Sequence, residues 1–232
     1  MKKLWSCILI LFALILFWNQ LVMQPIVLFS VAFHKLGHAL TAFISGYGYN
    51  AFKVTFSTTS DTALQARGWF ANFMILNGGY LGSLLFSVLI ILLNKTSAKK
   101  AIPGVLAIIY LVISVSFPAF KVDIIHAVIF TALIIILYII SNEALDEFVT
   151  DVLGISVMAF IIFDTFICTL LLTLNQQLSI IRNWQVHFSY DILELSKLTN
   201  LPSLLLGIIW LAIAVFILNL ILLKGSKGKS RR

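Results

Sequence analysis

The chain has 232 residues, 61% of them hydrophobic and 11% charged, with a formal net charge of +7 and a mean hydropathy of +1.06. Soluble domains are about half apolar and about a quarter charged, so this composition excludes an ordinary soluble enzyme. It points to an all-α polytopic membrane protein, a single domain with room for six or seven spans of about 20 residues.

The first apolar segment, residues 4–20, begins like a secretion signal but lacks a small-residue cleavage site and runs on into further apolar sequence. It reads as a retained span. After "NQLVMQP", Pro25 suits the first turn of a second helix, which runs to about Ser45 and meets a glycine stop in "SGYG". In "YNAFKVTFSTTSD", Phe52, Val54 and Phe56 alternate with Lys53, Thr55 and Ser57. That period predicts a short β-strand or hairpin after the second helix. Inside a membrane such a strand requires protein or a water-filled cavity beside it. A third helix over 68–93 carries Gly78 and Gly82 as a G-x-x-x-G pair, which lets two helix backbones approach closely. Helices at about 101–117 and 121–140 follow, parted at Pro118. "SNEALDEF" reads as an acidic loop, and a long helix over about 149–174 carries Asp164. Residues 175–202 are less apolar and predict a surface segment with a short helix before a last span at 203–223. Cys7 and Cys168 sit in apolar runs and read as small buried hydrophobes.

The cations gather at the ends. Lys2 and Lys3 open the chain, and five more lie in "KGSKGKSRR", a tail over 224–232 expected to be disordered. Such clusters contact anionic lipid at a cytoplasmic face; nothing in them suggests nucleic acid. Seven spans would put these two basic termini on opposite sides, so loop charge leaves the orientation open.

Ionisable groups within spans are costly and therefore functional candidates. They are His34, Lys35, His38, Asp123, His126 and Asp164, with Asp191 just outside a span. His34 and His38 lie four apart, so a helix puts both on one face, where they can share an ion. This is the metal-binding half of the pattern H-E-x-x-H, but Lys35 stands where that pattern has glutamate. A catalytic zinc needs a third ligand. Asp164 is the candidate; its other reading is a packing aspartate bonded to a Ser, Thr or Asn of a neighbouring helix.

These motifs resemble, in order, the site-2 protease family of intramembrane zinc metalloproteases, in its smaller bacterial and fungal branch. "FHKLGHALTAF" is similar to that family's histidine helix, "GGYLGS" to its glycine-rich helix, and "FDTF" to a later helix bearing an aspartate. "DILELSKLTNLPSLLLGIIWL" is similar to the closing pattern, with Asp191, Leu195, Thr199, Pro202 and Trp210 in place. Residues 95–155 match in hydropathy alone. The resemblance implies zinc held by His34, His38 and an aspartate that falls on Asp164, with Asp191 as the alternative. It also implies a membrane-protein substrate, a strand that holds the unwound substrate by edge pairing, and a bacterial inner membrane.

Lys35 departs from that pattern at the residue that takes the proton from the attacking water. An ammonium has no proton acceptor, and its charge opposes a nearby dication. Removing a general base slows such reactions by about 10²–10⁴-fold. The sequence therefore supports an impaired membrane zinc metallopeptidase, or a non-catalytic relative that binds a client helix; a metal-free site with Lys35 paired to Asp164 is a further reading. A carboxylate such as Asp164 or Asp191 acting as base is a further route. A weaker third reading is a small transporter relaying protons through Asp123, His126 and Asp164.

Overall fold

The computed structural model describes residues 2–57, 68–117, 124–182 and 186–227. The helices in chain order are α1 (Lys2–Leu16), α2 (Gln24–Ala42), α3 (Asn50–Ser57), α4 (Trp69–Leu93), α5 (Ile102–Ser116) and α6 (Ile124–Ile140). They continue with α7 (Glu143–Ile162), α8 (Leu172–Leu178), α9 (Tyr190–Thr199) and α10 (Ser203–Lys227). A π-helical run, Phe163–Leu171, joins α7 to α8 without a break, and a second, Phe43–Tyr47, extends α2. Gly46, with φ 91°, turns the chain at the end of that extension; a glycine takes such a φ without a Cβ clash.

Among the described residues four helical segments are long and apolar enough to cross a membrane: Leu21–Tyr47, Trp69–Leu93, Glu143–Leu178 and Ser203–Ile221. Three shorter apolar helices accompany them, Trp5–Leu16, Ile102–Ser116 and Ile124–Ile140. Their outward faces carry aliphatic side chains such as Ile108, Leu133 and Ile139, all exposed, as a lipid-facing surface requires.

Two expectations are corrected. The segment with strand-like alternation is the helix α3. Ala51, Thr55 and Phe56 are buried and Phe52 is half-buried, a pattern that shares one helical face and does not alternate. A helix also satisfies its backbone within the segment, which a lone strand does not. The continuation of that motif, residues 58–61, lies outside the described residues, as do Pro118 and Asp123. The acidic loop is also helical. α7 begins at Glu143 because the Asn142 side chain accepts from the backbone N–H groups of Ala144 and Leu145. Glu143 and Asp146 then occupy the first turn, where the helix dipole favours negative charge.

α2, α4 and α7 form the centre of the bundle and contact one another pairwise. On one side α1, α9 and α10 enclose a cluster with Tyr80, Met158, Ile192 and Trp210. On the other, α5 and α6 pack around Phe29, which stacks on Phe130 at 5.0 Å and meets Tyr110 edge-on at 5.8 Å. The α2–α4 contact is made of glycine. A Cβ on Gly37 would fall on the carbonyl oxygen of Gly78 and lie 3.0 Å from Gly82 Cα, and one on Gly82 would fall on Gly37 Cα. Gly78 faces the side chain of Thr41 equally closely. Helices surrounded by lipid gain little from apolar burial against each other, so such backbone proximity carries much of their association.

Overpacking a close contact costs about 1–3 kcal/mol. Gly82→Val is expected to destabilise the folded protein by that amount in detergent unfolding titrations. Leu81→Val, one residue away and exposed, is expected to change stability by less than about 0.5 kcal/mol.

Candidate metal centre

α2 supplies the first two donors. His34 and His38 are one turn apart and both buried, and their rings meet nearly perpendicular at 4.7 Å. α4 orients them through Ile75, Gly79 and Ser83, whose four-residue spacing places them in one stripe. The Nδ1–H of His38 donates to the Ile75 carbonyl at 2.7 Å. His34 Nδ1 lies 3.2 Å from Ser83 Oγ. Gly79 stands between: a Cβ there would meet His34 Nε2 at 2.5 Å and His38 Nε2 closer still. The missing side chain of Gly79 is the space the two imidazoles occupy. Phe160 and Tyr80 pack on the His34 ring at 4.5 and 5.2 Å.

The third donor comes from α9. Asp191 is the second residue of that helix, after the N-cap Ser189, where a carboxylate is favoured by the dipole. Its Oδ2 lies 2.8 Å from His34 Nε2 and 3.0 Å from His38 Nε2, and the two nitrogens are 3.1 Å apart. Burial acts to raise the Asp191 pKa, but the imidazoles, His38 foremost, override it and hold the carboxyl well below its usual range.

The donor set fits a metal ion. A carbonyl only accepts, so His38 carries its proton on Nδ1, and its Nε2 then turns a lone pair toward an anionic oxygen. Only a cation between them, a proton or a metal, makes that arrangement favourable. Two imidazoles and one carboxylate are the protein ligands of a catalytic zinc site that keeps an open position. Tetrahedral bonds of about 2.0–2.1 Å put ligand atoms about 3.3 Å apart, within a few tenths of an ångström of the separations found. The imidazole Nδ1 partners supply the outer shell that such ligands require. His34, His38 and Asp191 are the one such cluster among the described residues.

Asp164, the first expectation for the third ligand, is engaged elsewhere. Its Oδ2 accepts from Tyr80 Oη and, at 2.6 Å, from Ser189 Oγ, so it bonds a serine as its packing reading anticipated and a tyrosine besides. The carboxylate within ligand distance of both histidines is the alternative, Asp191. Lys35, half-buried, joins Asp164, Phe160 and Phe188 in the wall of a cleft of about 150 Å³ around the three donors. Gly78 and Gly82 lie at the α2–α4 contact. His126, on α6, does not line the cleft. Sequence reasoning missed Gly79, Ser83, Tyr80 and Ser189. The four-residue step from Gly79 to Ser83 within "GGYLGS", and the serine cap in "SYDIL", were the available signals.

A family model for peptidase M50B-like proteins matches residues 7–221. The chain belongs to the peptidase M50B-like family. No curated protein and no solved structure gives a match. Members of the M50 group are zinc-dependent in general, and the chemistry of the His34–His38–Asp191 set agrees with that dependence. Membership and the apolar helices together make this M50B-like protein an integral membrane protein and a membrane metallopeptidase homologue.

Losing the partner of a ligating histidine commonly weakens metal affinity about 10–100-fold. Ser83→Ala is expected to weaken zinc binding by that range in chelator competition. Gly79→Ala, which fills the donor space, is expected to abolish it.

Proposed function

We propose that this protein is a site-2 protease-like membrane zinc metallopeptidase whose hydrolytic step is impaired by Lys35. The observation that carries the reading is the convergence of His34 Nε2, His38 Nε2 and Asp191 Oδ2 within 2.8–3.1 Å of one another. Zinc held by these atoms supplies Lewis-acid chemistry, polarising a carbonyl and lowering the pKa of water. The chain's own residues do the rest. Gly79 leaves room for the donors, Ile75 and Ser83 orient the imidazoles, and Phe160 and Phe188 wall the cleft with apolar rings.

What this chain lacks is a proton acceptor at position 35. Lys35 follows His34 on α2 and lines the same cleft, where a glutamate would take the proton of the attacking water and pass it to the leaving amine. A protonated lysine has no lone pair for that role and adds positive charge beside the metal position. The same residue favours a second reading, a non-catalytic relative that holds a client transmembrane helix in the cleft.

On either reading the partner is a membrane-protein helix, and the basic C-terminal residues contact anionic lipid; nucleic acid has no place in it. Counting shorter apolar helices as spans beside the four long ones would bring the bundle to six or seven. The family resemblance and the small size favour a bacterial inner membrane. The proton-relay reading has no observation behind it: His126 does not line the cleft that holds Asp164, and Asp123 lies outside the described residues.

Detergent-purified protein is expected to hold one zinc per chain by elemental analysis, lost in His34→Ala, His38→Ala and Asp191→Ala. No bound zinc in the wild type would remove the basis of the proposal. Lys35→Glu is expected to raise cleavage of fluorescently labelled transmembrane peptides by about 10²–10⁴-fold, the usual contribution of a general base. A variant that binds zinc and client yet gains no cleavage would favour the non-catalytic reading.

A further inference from the structure

We propose that Asp164 is a positioning residue: it fixes the first turn of α9 and so delivers Asp191 to the two histidines. The inference rests on the metal-site reading above and adds how its third donor is held.

Asp191 comes from a helix of ten residues, reached through a stretch, residues 186–189, without regular structure. The Ser189 cap sets at which residue the helix starts but not where that turn sits in the bundle, and ordering its backbone costs about 1–2 kcal/mol per residue. Its position has to come from tertiary bonds. At the far end the Trp69 indole donates to the Leu198 carbonyl at 3.0 Å. At the near end the tether is Asp164. One carboxylate oxygen, Asp164 Oδ2, takes hydroxyl donors from two elements, Tyr80 on α4 and Ser189 at the start of α9. Ser189 Oγ also accepts from the Ile192 N–H at 3.4 Å as the helix cap, so the atom held by Asp164 is the atom that starts α9.

Asp191 lies two residues beyond Ser189, and a displaced cap displaces its carboxylate. Tyr80 is itself fixed. It is fully buried, stacks on Trp210 of α10 at 5.0 Å, and meets the His34 ring edge-on at 5.2 Å. Asp164 thus ties the element bearing Asp191 to a tyrosine packed on a donor imidazole. It occupies the second position of the π-helical run Phe163–Leu171, where Thr169 Oγ1 donates back to its carbonyl at 3.1 Å. Such runs occur frequently at functional sites. The bonds to Asp164 need an oxygen acceptor and do not require a charge.

That last point gives the test. Zinc affinity of the full chain in detergent is measured by chelator competition, with the visible spectrum of bound cobalt as a report on the ligand set. Asp164→Ala is expected to weaken zinc about 10–100-fold, in the range of other outer-shell losses, and to change the cobalt spectrum. Asp164→Asn, which keeps an oxygen acceptor, is expected to stay within about 3-fold of wild type.

The positioning role is overturned by an Asp164→Ala protein with wild-type affinity and spectrum. It is overturned equally by an Asn variant as weak as the Ala variant, which would make Asp164 a ligand or a general stabiliser. Should Asp164→Ala fail to fold, Ser189→Ala and Tyr80→Phe each remove one donor and take its place in the same comparison. A wild type that binds no metal takes the metal-site reading down first and this inference with it, whereas zinc binding indifferent to position 164 sinks the positioning role alone.

Discussion

Where α2 crosses α4, Gly37 on one helix and Gly78 and Gly82 on the other leave no side chain between the two backbones. That proximity governs what the rest of the molecule can do. Within lipid there is little apolar driving force to bring helices together, so the approach depends on the absence of Cβ atoms. With the helices that close, the Ile75 carbonyl reaches one imidazole, Ser83 reaches the other, and the gap at Gly79 receives both rings. A bulkier α4 would push α2 away and strand two buried imidazoles without partners, an expensive state for polar groups in an apolar interior.

The site is completed by a part of the chain with very different character. α9 is short and amphipathic, and it reaches the centre with its first turn. Its carboxylate bonds across 157 positions to His34 and 153 to His38. The polar groups around it form a connected set in which Tyr80, Asp164 and Ser189 satisfy one another. Buried polar networks of this kind fix geometry when every member is paired. The arrangement separates two duties between two aspartates: one faces the imidazoles and the other holds the turn from which the first projects.

Lys35 gives the centre its individual character. His34, His38 and Asp191 form a donor set that could hold a metal ion, in agreement with membership of the peptidase M50B-like family. The position next to His34 instead carries an amine in the wall of the same cleft. The donor atoms come from α2 and α9 and are oriented by α4, whereas position 35 is a single side chain beside them.

What the sequence determined by itself is local. Hydropathy placed the apolar helices to within a few residues, because a span must be apolar along its whole length. The spacing of His34 and His38 put them on one face, because a helical turn is fixed at 3.6 residues, and Gly78 with Gly82 announced a close helix contact. Local reading failed where one pattern fits two structures. Phe52, Val54 and Phe56 alternate as in a strand, yet Phe52 and Phe56 also share the face of α3. "SNEALDEF" looks like a loop by polarity until Asn142 is seen to cap a helix. The choice between Asp164 and Asp191 was not local at all. Both are carboxylates in the later half of the chain, and only the tertiary structure decided which faces the histidines, because that depends on how α9 docks against α4 and α10, a matter of packing between segments that no local pattern encodes.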